Sequence, residues 1–422
     1  MKNRDRVFKP NILLFIFLVF LQATSAQELR MDKKLRQETV NQIAQILNNK
    51  YVIPEIAKKY SNQIVKQLEN GEYKNIVDPM EFAEKITNEI KAVQDDQHFQ
   101  IRYDPGAVQN MRYGNEISES ERETNRARQL RNEKRRNYGF KELKILPGNI
   151  GYLKLNEFAS ERASETAIAA MNFLTHSDAV IFDIRDNGGG SNDMIEIIGS
   201  YLFSNDYPRE FSSIYNRITD KLLTYKTQAY VPGKRLVNTD LYILVSNSTF
   251  SAAEAFAYDL KHMKRAKIVG ERTSGGAHSA RTFIINDHFV IDLPFARAIS
   301  PITKTNWEGT GVEPDIICEA DDALQTAQSI ILARIVEENP DEYSLNNLGY
   351  SLLGNKDFDL AIEIFIMNAE IHPLSANAYD SLGEAYMNAG EIELAILNYE
   401  KSLILNPNSE NAKKMLKQLA KE

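Results

Sequence analysis

Hydrophobic positions change their period along this chain, and each change marks a different kind of element. Between residues 32 and 94 they recur at helical spacing, with Val40, Ile43, Ile46 and Leu47 on one stripe and Phe82, Ile86 and Ile90 on another. That is the pattern of helices resting one face on a core. Tyr51-Val52-Ile53-Pro54 predicts a break, because a proline pushes the residue before it out of the helical range. Residues 115–137 are dense in Glu and Arg with almost no apolar side chains, which predicts a solvated helix or mobile excursion, the sharper alternative being a lid. From Lys141 the pattern alternates. Strands are predicted at Ile150–Leu155, Ala179–Ile184, Leu241–Val245 and Ala266–Val269. Helices are predicted at Ser164–Leu174, in the stretch ending at Leu202, and after Ser251. Strands alternating with helices argue for an α/β core.

The last third period is of another kind. Leu348-Gly349, Ala361, Phe365 and Pro373 reappear 34 residues later as Leu382-Gly383, Ala395, Tyr399 and Pro407. A repeat of that length with small and aromatic residues at those positions reads as two tetratricopeptide repeats. Two repeats rarely stand alone, so Ala412–Leu419 is expected to cap them and residues 320–338 to dock them.

The first residues change the picture of where the chain works. Lys2, Arg4, Arg6 and Lys9 precede an apolar run from Ile12 to Leu21, and Thr24-Ser25-Ala26 supplies small residues before Gln27. This is the layout of a secretory signal peptide over residues 1–26, too short to span a bilayer comfortably. Export to a bacterial periplasm or beyond is expected, with no stable membrane span after cleavage. The formal charge of −8 becomes −11 once four basic side chains and Asp5 are removed. Such an acidic balance argues against a nucleic-acid partner. The single cysteine, Cys318, cannot form an internal disulfide, and a hydrophobic content of 43% must supply the core instead.

Several chemistries are excluded. No serine lies in G-x-S-x-G, and neither a P-loop nor H-E-x-x-H is present. Six histidines without ligand spacing and one cysteine predict no metal site, and no cofactor is expected. What remains is serine chemistry. Asp183 to Gly190 ends an apolar strand in three glycines, a turn able to aim backbone amides, those of Gly188 and Gly189, into a cleft or simply to reverse the chain. Ser251-Ala252-Ala253-Glu254 follows another strand. Ser251 there is either a helix cap paired with Glu254 or a nucleophile with the Ala252 amide beside it. A nucleophilic serine needs a base. His98, in Asp95-Asp96-Gln97-His98-Phe99, and His278, in a glycine-rich loop, both qualify; the orienting carboxylate is expected to be Glu308 in preference to Glu254.

The segments DDQHF (95–99), VIFDIRDNGGGSND (180–193), NSTFSAAEAFAY (247–258) with AKIVGERTSGGAH (266–278), and WEGTGVEPDI (307–316) together resemble the S41 serine peptidases. That group includes tail-specific C-terminal processing peptidases, the tricorn core and the retinoid-binding repeats. The resemblance covers about residues 35–318 and implies a crotonase-like α/β catalytic core. Joined to the repeat period read above, it gives the expected layout 27–103 helical subdomain, 104–147 charged connecting segment, 148–320 core and 340–422 two repeats with a capping helix. It also implies Ser251 as nucleophile, with Gly188, Gly189 and Ala252 amides as the oxyanion hole. The Ser/Lys dyad of the tail-specific branch is not available, since Thr273–Gly276 holds no lysine. The tricorn-like branch, with Ser, His and Glu, matches Ser251, His98 and Glu308, although Gln97 stands where that branch has a serine. The 104–147 segment is too short for the family's PDZ domain. The expected function is an exported serine endopeptidase acting on peptide or protein substrates, with the repeats as a possible site for a protein partner. The alternative is a non-catalytic binding member of the same fold.

Overall fold

A computed structural model describes residues 29–94, 96, 98–114 and 118–420. The candidate signal segment and Gln97 lie outside the described residues. The chain opens with helices α1 (Lys33–Lys50), α2 (Pro54–Glu69) and α3 (Pro79–Lys91). Their starts follow from local chemistry. Asp32 and Asp78 accept hydrogen bonds from first-turn amides of α1 and α3, and prolines occupy the first positions of α2 and α3, where no amide is required. Next come β1 (Gln100–Tyr103), α4 (Pro105–Tyr113) and α5 (Glu119–Arg135). Helix α5 is the charged stretch; it buries no residue and starts with a reciprocal Ser118–Glu121 capping box.

The α/β portion contains β2 (Phe140–Leu146), β3 (Ile150–Leu155), α6 (Ser164–Phe173), β4 (Ala179–Asp183) and α7 (Asn192–Ser200). It continues with β5 (Ser213–Asn216), β6 (Lys221–Leu223), β7 (Asp240–Val245), α8 (Ala252–His262) and β8 (Lys267–Gly270). Last are β9 (His278–Ile284), β10 (Phe289–Ile299) and the short β11 (Ile316–Ile317). One sheet has the order β11-β8-β7-β4-β3-β2, parallel except for the β2–β3 pair. Both of its faces are covered, which is why β4 and β7 read as unbroken apolar runs. Val180, Phe182, Leu241 and Ile243 join the core under α6–α8, while Ala179, Ile181, Tyr242 and Leu244 face the other way.

That second face is closed by α9 (Ala323–Glu338). The helices α10 (Glu342–Gly354), α11 (Phe358–Ile371), α12 (Ala376–Ala389), α13 (Ile392–Leu405) and α14 (Glu410–Leu419) follow. Helix α9 is the joint: Ala327 and Ile331 share one buried cluster with Ile181 and Leu244 of the sheet and with Ile364 and Phe365 of the repeats. The repeated glycines have a steric cause. A Cβ on Gly349 would meet the Phe365 ring at 2.4 Å, and one on Gly383 would meet Tyr399 at 3.1 Å.

A second sheet, absent from the sequence reading, is antiparallel. Strand β10 pairs with β1, β5 and β9, and β5 pairs with β6. Its Phe289, Ile291 and Leu293 pack with Val40, Ile43 and Phe82 of the N-terminal helices. The pairing brings the start of β1, beside His98, and the start of β9, at His278, onto one strand.

Candidate active site

Ser251 stands at the carboxyl end of the parallel sheet, where open α/β sheets place their ligands. The turn between β7 and α8 is fastened to the turn after β4. Thr249 donates to the Ile184 carbonyl, Ser246 to that of Arg185, and the Phe250 amide to that of Asn187. Fastened this way, Ser251 adopts φ 56° and ψ −118°, a conformation disfavoured for any residue with a Cβ. Its amide donates to Glu254 at 2.8 Å. The buried Glu254 carboxylate also accepts from the Gly275 amide at 2.6 Å and the Gly276 amide at 2.8 Å. Burial raises its pKa, although these donors pull the other way. Glu254 is therefore committed to holding the serine turn and the 273–276 loop together.

Gly189 packs directly on this turn. A Cβ there would lie 2.9 Å from the Ala252 nitrogen, the Phe250 oxygen and the Ser251 Cβ, and its φ is +106°. Only glycine allows that approach. Its amide, expected to face the cleft, instead donates to Asn187 Oδ1 at 2.8 Å, so Gly189 does not offer a free oxyanion donor. The Ala252 amide, first in α8, has no acceptor within its helix, as is general for a first turn. Gly188 faces open space.

The imidazoles and carboxylates gather beside the serine turn, in an arrangement different from the expected one. The His98 ring stacks on Phe250, centroids 4.8 Å apart, and its Cε1 lies 2.9 Å from where a Cβ on Gly276 would sit. Its buried Nδ1 has no hydrogen-bond partner and lies 3.9 Å from Asp96 Oδ1. Among the described residues no hydrogen bond joins His98 to Glu308. Glu308 instead accepts from the amides of Ala277 at 2.6 Å and His278 at 3.0 Å, and lies 3.6 Å from His278 Nδ1. Asp96, quoted in the motif but given no role, is the central acid. It is buried, pairs with His278 Nδ1 at 2.8 Å and accepts from the Tyr51 hydroxyl at 3.0 Å.

Electrostatics separate the two acids. Burial works against ionisation of Asp96, but the hydrogen bond and charge of His278 outweigh it and hold the carboxyl below its usual range. Burial pushes Glu308 up to about 7, with His278 opposing and the Asp96 charge adding to the rise. Burial also keeps the His98 pKa low, favouring the neutral form that a base requires. Asp96, His278 and Glu308 place ligand atoms within 4.8 Å of one another and are the described residues that could hold a metal ion. Those atoms already engage each other and nearby amides, apart from the buried, unpartnered Glu308 Oε1.

Ser251, Ala252, Gly276 and His278 also line a cavity of about 60 Å³ bounded by α8, Phe211 and Trp307. A strained serine at a helix start, with Ser251 and the Asp96-paired His278 lining one cavity, is an arrangement of groups suited to nucleophilic serine chemistry on an α/β fold. The sequence comparisons agree with it. Residues 149–318 match the model of peptidase family S41, residues 23–134 that of the N-terminal domain of peptidase S41 in eukaryotic IRBP, and residues 376–409 that of a tetratricopeptide repeat.

Among curated proteins, the chloroplastic carboxyl-terminal-processing peptidase 2 of Arabidopsis thaliana is 32% identical over 187 residues, 40% of this chain and 33% of that protein. The carboxyl-terminal-processing protease of Picosynechococcus sp. is 28% identical over 169 residues, 39% of this chain and 38% of that protein. The chain thus matches little more than a third of the length of these relatives. Among solved structures, a photosystem II D1 C-terminal processing protease aligns with TM-score 0.44 and 16% identity, over 68% of this chain and 94% of that one.

Proposed function

We propose that this chain is an exported serine peptidase with Ser251 as nucleophile and His98 as general base. The observation that carries the reading is the Ser251 backbone, held in a strained strand-to-helix turn against Gly189. Strain of this kind persists where surrounding structure over-determines it, and it clusters at active sites. In the reaction, the Ser251 oxygen bonds to the substrate carbonyl carbon as its proton passes to His98. The carbon–nitrogen bond then breaks, the amine leaves with that proton, and water releases the acyl group from Ser251 by the reverse transfers. The Ala252 amide, with Gly188 in place of the occupied Gly189, holds the oxyanion. We assign the orienting role expected of Glu308 to Asp96, whose Oδ1 lies 3.9 Å from the unpartnered Nδ1 of His98, while Glu308 faces His278 at 3.6 Å.

A second assignment of the base has its own support. His278 already pairs its Nδ1 with buried Asp96 and lines the same cavity as Ser251. His98 is preferred because its side chain is 16% exposed against 1% for His278, and a base must reach substrate. A fluorophosphonate probe tests both the function and the base. It should label the wild type at neutral pH and leave Ser251→Ala unlabelled. His98→Ala should abolish labelling and His278→Ala should only weaken it; the opposite order transfers the role to His278. A well-folded wild type that stays unlabelled sinks the peptidase reading and favours a non-catalytic binding protein. The tetratricopeptide repeats are proposed to recruit a protein substrate or partner, which a pull-down with residues 340–422 deleted would test by loss of capture.

A further inference from the structure

Asp259 is the one acidic group on the buried part of α8 that the chemistry above leaves unused. It is 2% exposed and accepts from the Ser212 amide at 2.8 Å and the Ser212 hydroxyl at 2.7 Å. Among the described residues no lysine, arginine or histidine pairs with it. Burial therefore pushes its carboxyl up to about 6, with only the two Ser212 donors opposing. Its ionised form is a buried anion without a counterion, an arrangement that costs stability unless something completes it.

Its position says what would complete it. Ser251, Ala255 and Asp259 are spaced i, i+4, i+8, so they share one face of α8, and all three line the same cavity. Eight residues of helix rise about 12 Å, and the helical tilt of Cβ leans Asp259 back toward Ser251. Ala255, between them, is small enough to leave the passage open. Ile195, Phe211, Ile214 and Trp307 supply apolar lining. A cavity that sets these apolar residues beside polar ones, Asn192, Ser212 and Tyr225, with a carboxylate in its lining, suits an alkyl stem with a cationic head.

We propose that this cavity receives the substrate side chain on the acyl side of the scissile bond, and that Asp259 selects lysine or arginine there. The inference rests on Ser251 being the nucleophile, and the two fail separately in one experiment. The full chain is assayed on fluorogenic peptides identical except for Lys, Arg, Leu or Ala at that position, and a separate sample is labelled with a fluorophosphonate to show that Ser251 is reactive. The wild type should favour Lys and Arg by about 100-fold in kcat/KM, the scale of a desolvated charge pair. Asp259→Asn, checked for fold by circular dichroism and Trp307 emission, should collapse the Lys-to-Leu ratio by a similar factor. Ala255→Leu should do the same by blocking the passage without touching the carboxylate. On the wild type alone, a peptide aldehyde ending in arginine should inhibit far better than one ending in phenylalanine, a readout that needs no variant to fold. A labelled wild type that prefers Leu or Ala, or an Asp259→Asn protein with an unchanged ratio, overturns the inference and leaves Asp259 as an anchor for Ser212. An unlabelled wild type overturns the peptidase reading, and this inference with it.

Discussion

The strain at Ser251 can be separated from the role of its hydroxyl by comparing two substitutions. Ser251→Ala and Ser251→Gly both remove the hydroxyl, but only glycine removes the Cβ that makes φ 56°, ψ −118° costly. The strain is of order 1–3 kcal/mol. Glycine gives back about 0.4–1 kcal/mol through the greater freedom of its unfolded chain. Ser251→Gly should therefore be more stable than Ser251→Ala by about 1–2 kcal/mol. If the hydroxyl also caps α8, both variants lose about 1 kcal/mol relative to wild type, and the difference between them is untouched. The assay is urea unfolding followed by the emission of Trp307, the only tryptophan, which is buried and donates to the Gly276 carbonyl beside the site. With a slope of about 1–3 kcal/mol per molar, the midpoints should differ by roughly half a molar. Neither variant should react with a fluorophosphonate. A glycine variant no more stable than the alanine variant would show that the turn is not strained, and the argument from Ser251 geometry would fall.

Further outcomes follow from the same contacts. Gly189→Ala should destabilise the core by about 2 kcal/mol or more and abolish labelling, because its Cβ would meet backbone atoms at 2.9 Å with φ at +106°; a fold with wild-type midpoint would contradict the close packing of the two turns. Glu308, raised to about 7 from 4.5, contributes stability that is present at low pH and lost as pH rises through that window. Urea midpoints measured across it should show that decline in wild type and lack it in Glu308→Gln. Tyr51→Phe removes a donor to Asp96, so it should cost about 1 kcal/mol and shift the alkaline side of the Asp96 titration upward, read by carboxyl chemical shifts. Ile331→Ala, at the joint between sheet and repeats, should cost about 2–5 kcal/mol and split unfolding into two phases.

What could be read from sequence depended on how local the signal was. The buried parallel strands β3, β4, β7 and β8 were legible because each is a continuous apolar run next to a helix of clear period. The repeats were legible because Gly349 and Gly383 answer to aromatic residues one helix later. The antiparallel sheet was not. Strand β6 is exposed throughout and joins only through β5, while the four residues of β1 join by pairing with β10, as in the Arg102–Asp292 contact 190 residues apart. The site shows the same division. Ser251, His98, His278 and Glu308 were all picked out by residue type and loop context. Which acid meets which imidazole was not, since sequence spacing carries no information on where Asp96 points. The Gly188-Gly189-Gly190 turn was visible, but the direction of the Gly189 amide depends on the Asn187 side chain that captures it.

The position of Asp96 also changes the meaning of the N-terminal helices. Tyr51 sits just past the end of α1, fully buried, and its hydroxyl meets the same Asp96 oxygen that pairs with His278. The Val52 amide donates to the Pro294 carbonyl of β10, so the end of α1 is tied to the strand that flanks both β1 and β9. Two of the three donors to Asp96 therefore come from outside the α/β core. The Tyr51 hydroxyl and the His98 amide reach it from the N-terminal segment, and only His278 belongs to the later chain. An acid buried this deeply stays ionised only while its donors are in place. Loosening the helical region would take away two of those donors and raise the Asp96 pKa, with His278 still opposing the rise. The N-terminal segment thus adds donors to an acid that His278 of the later chain holds most strongly, and the cluster beside Ser251 is built jointly by the two halves of the chain.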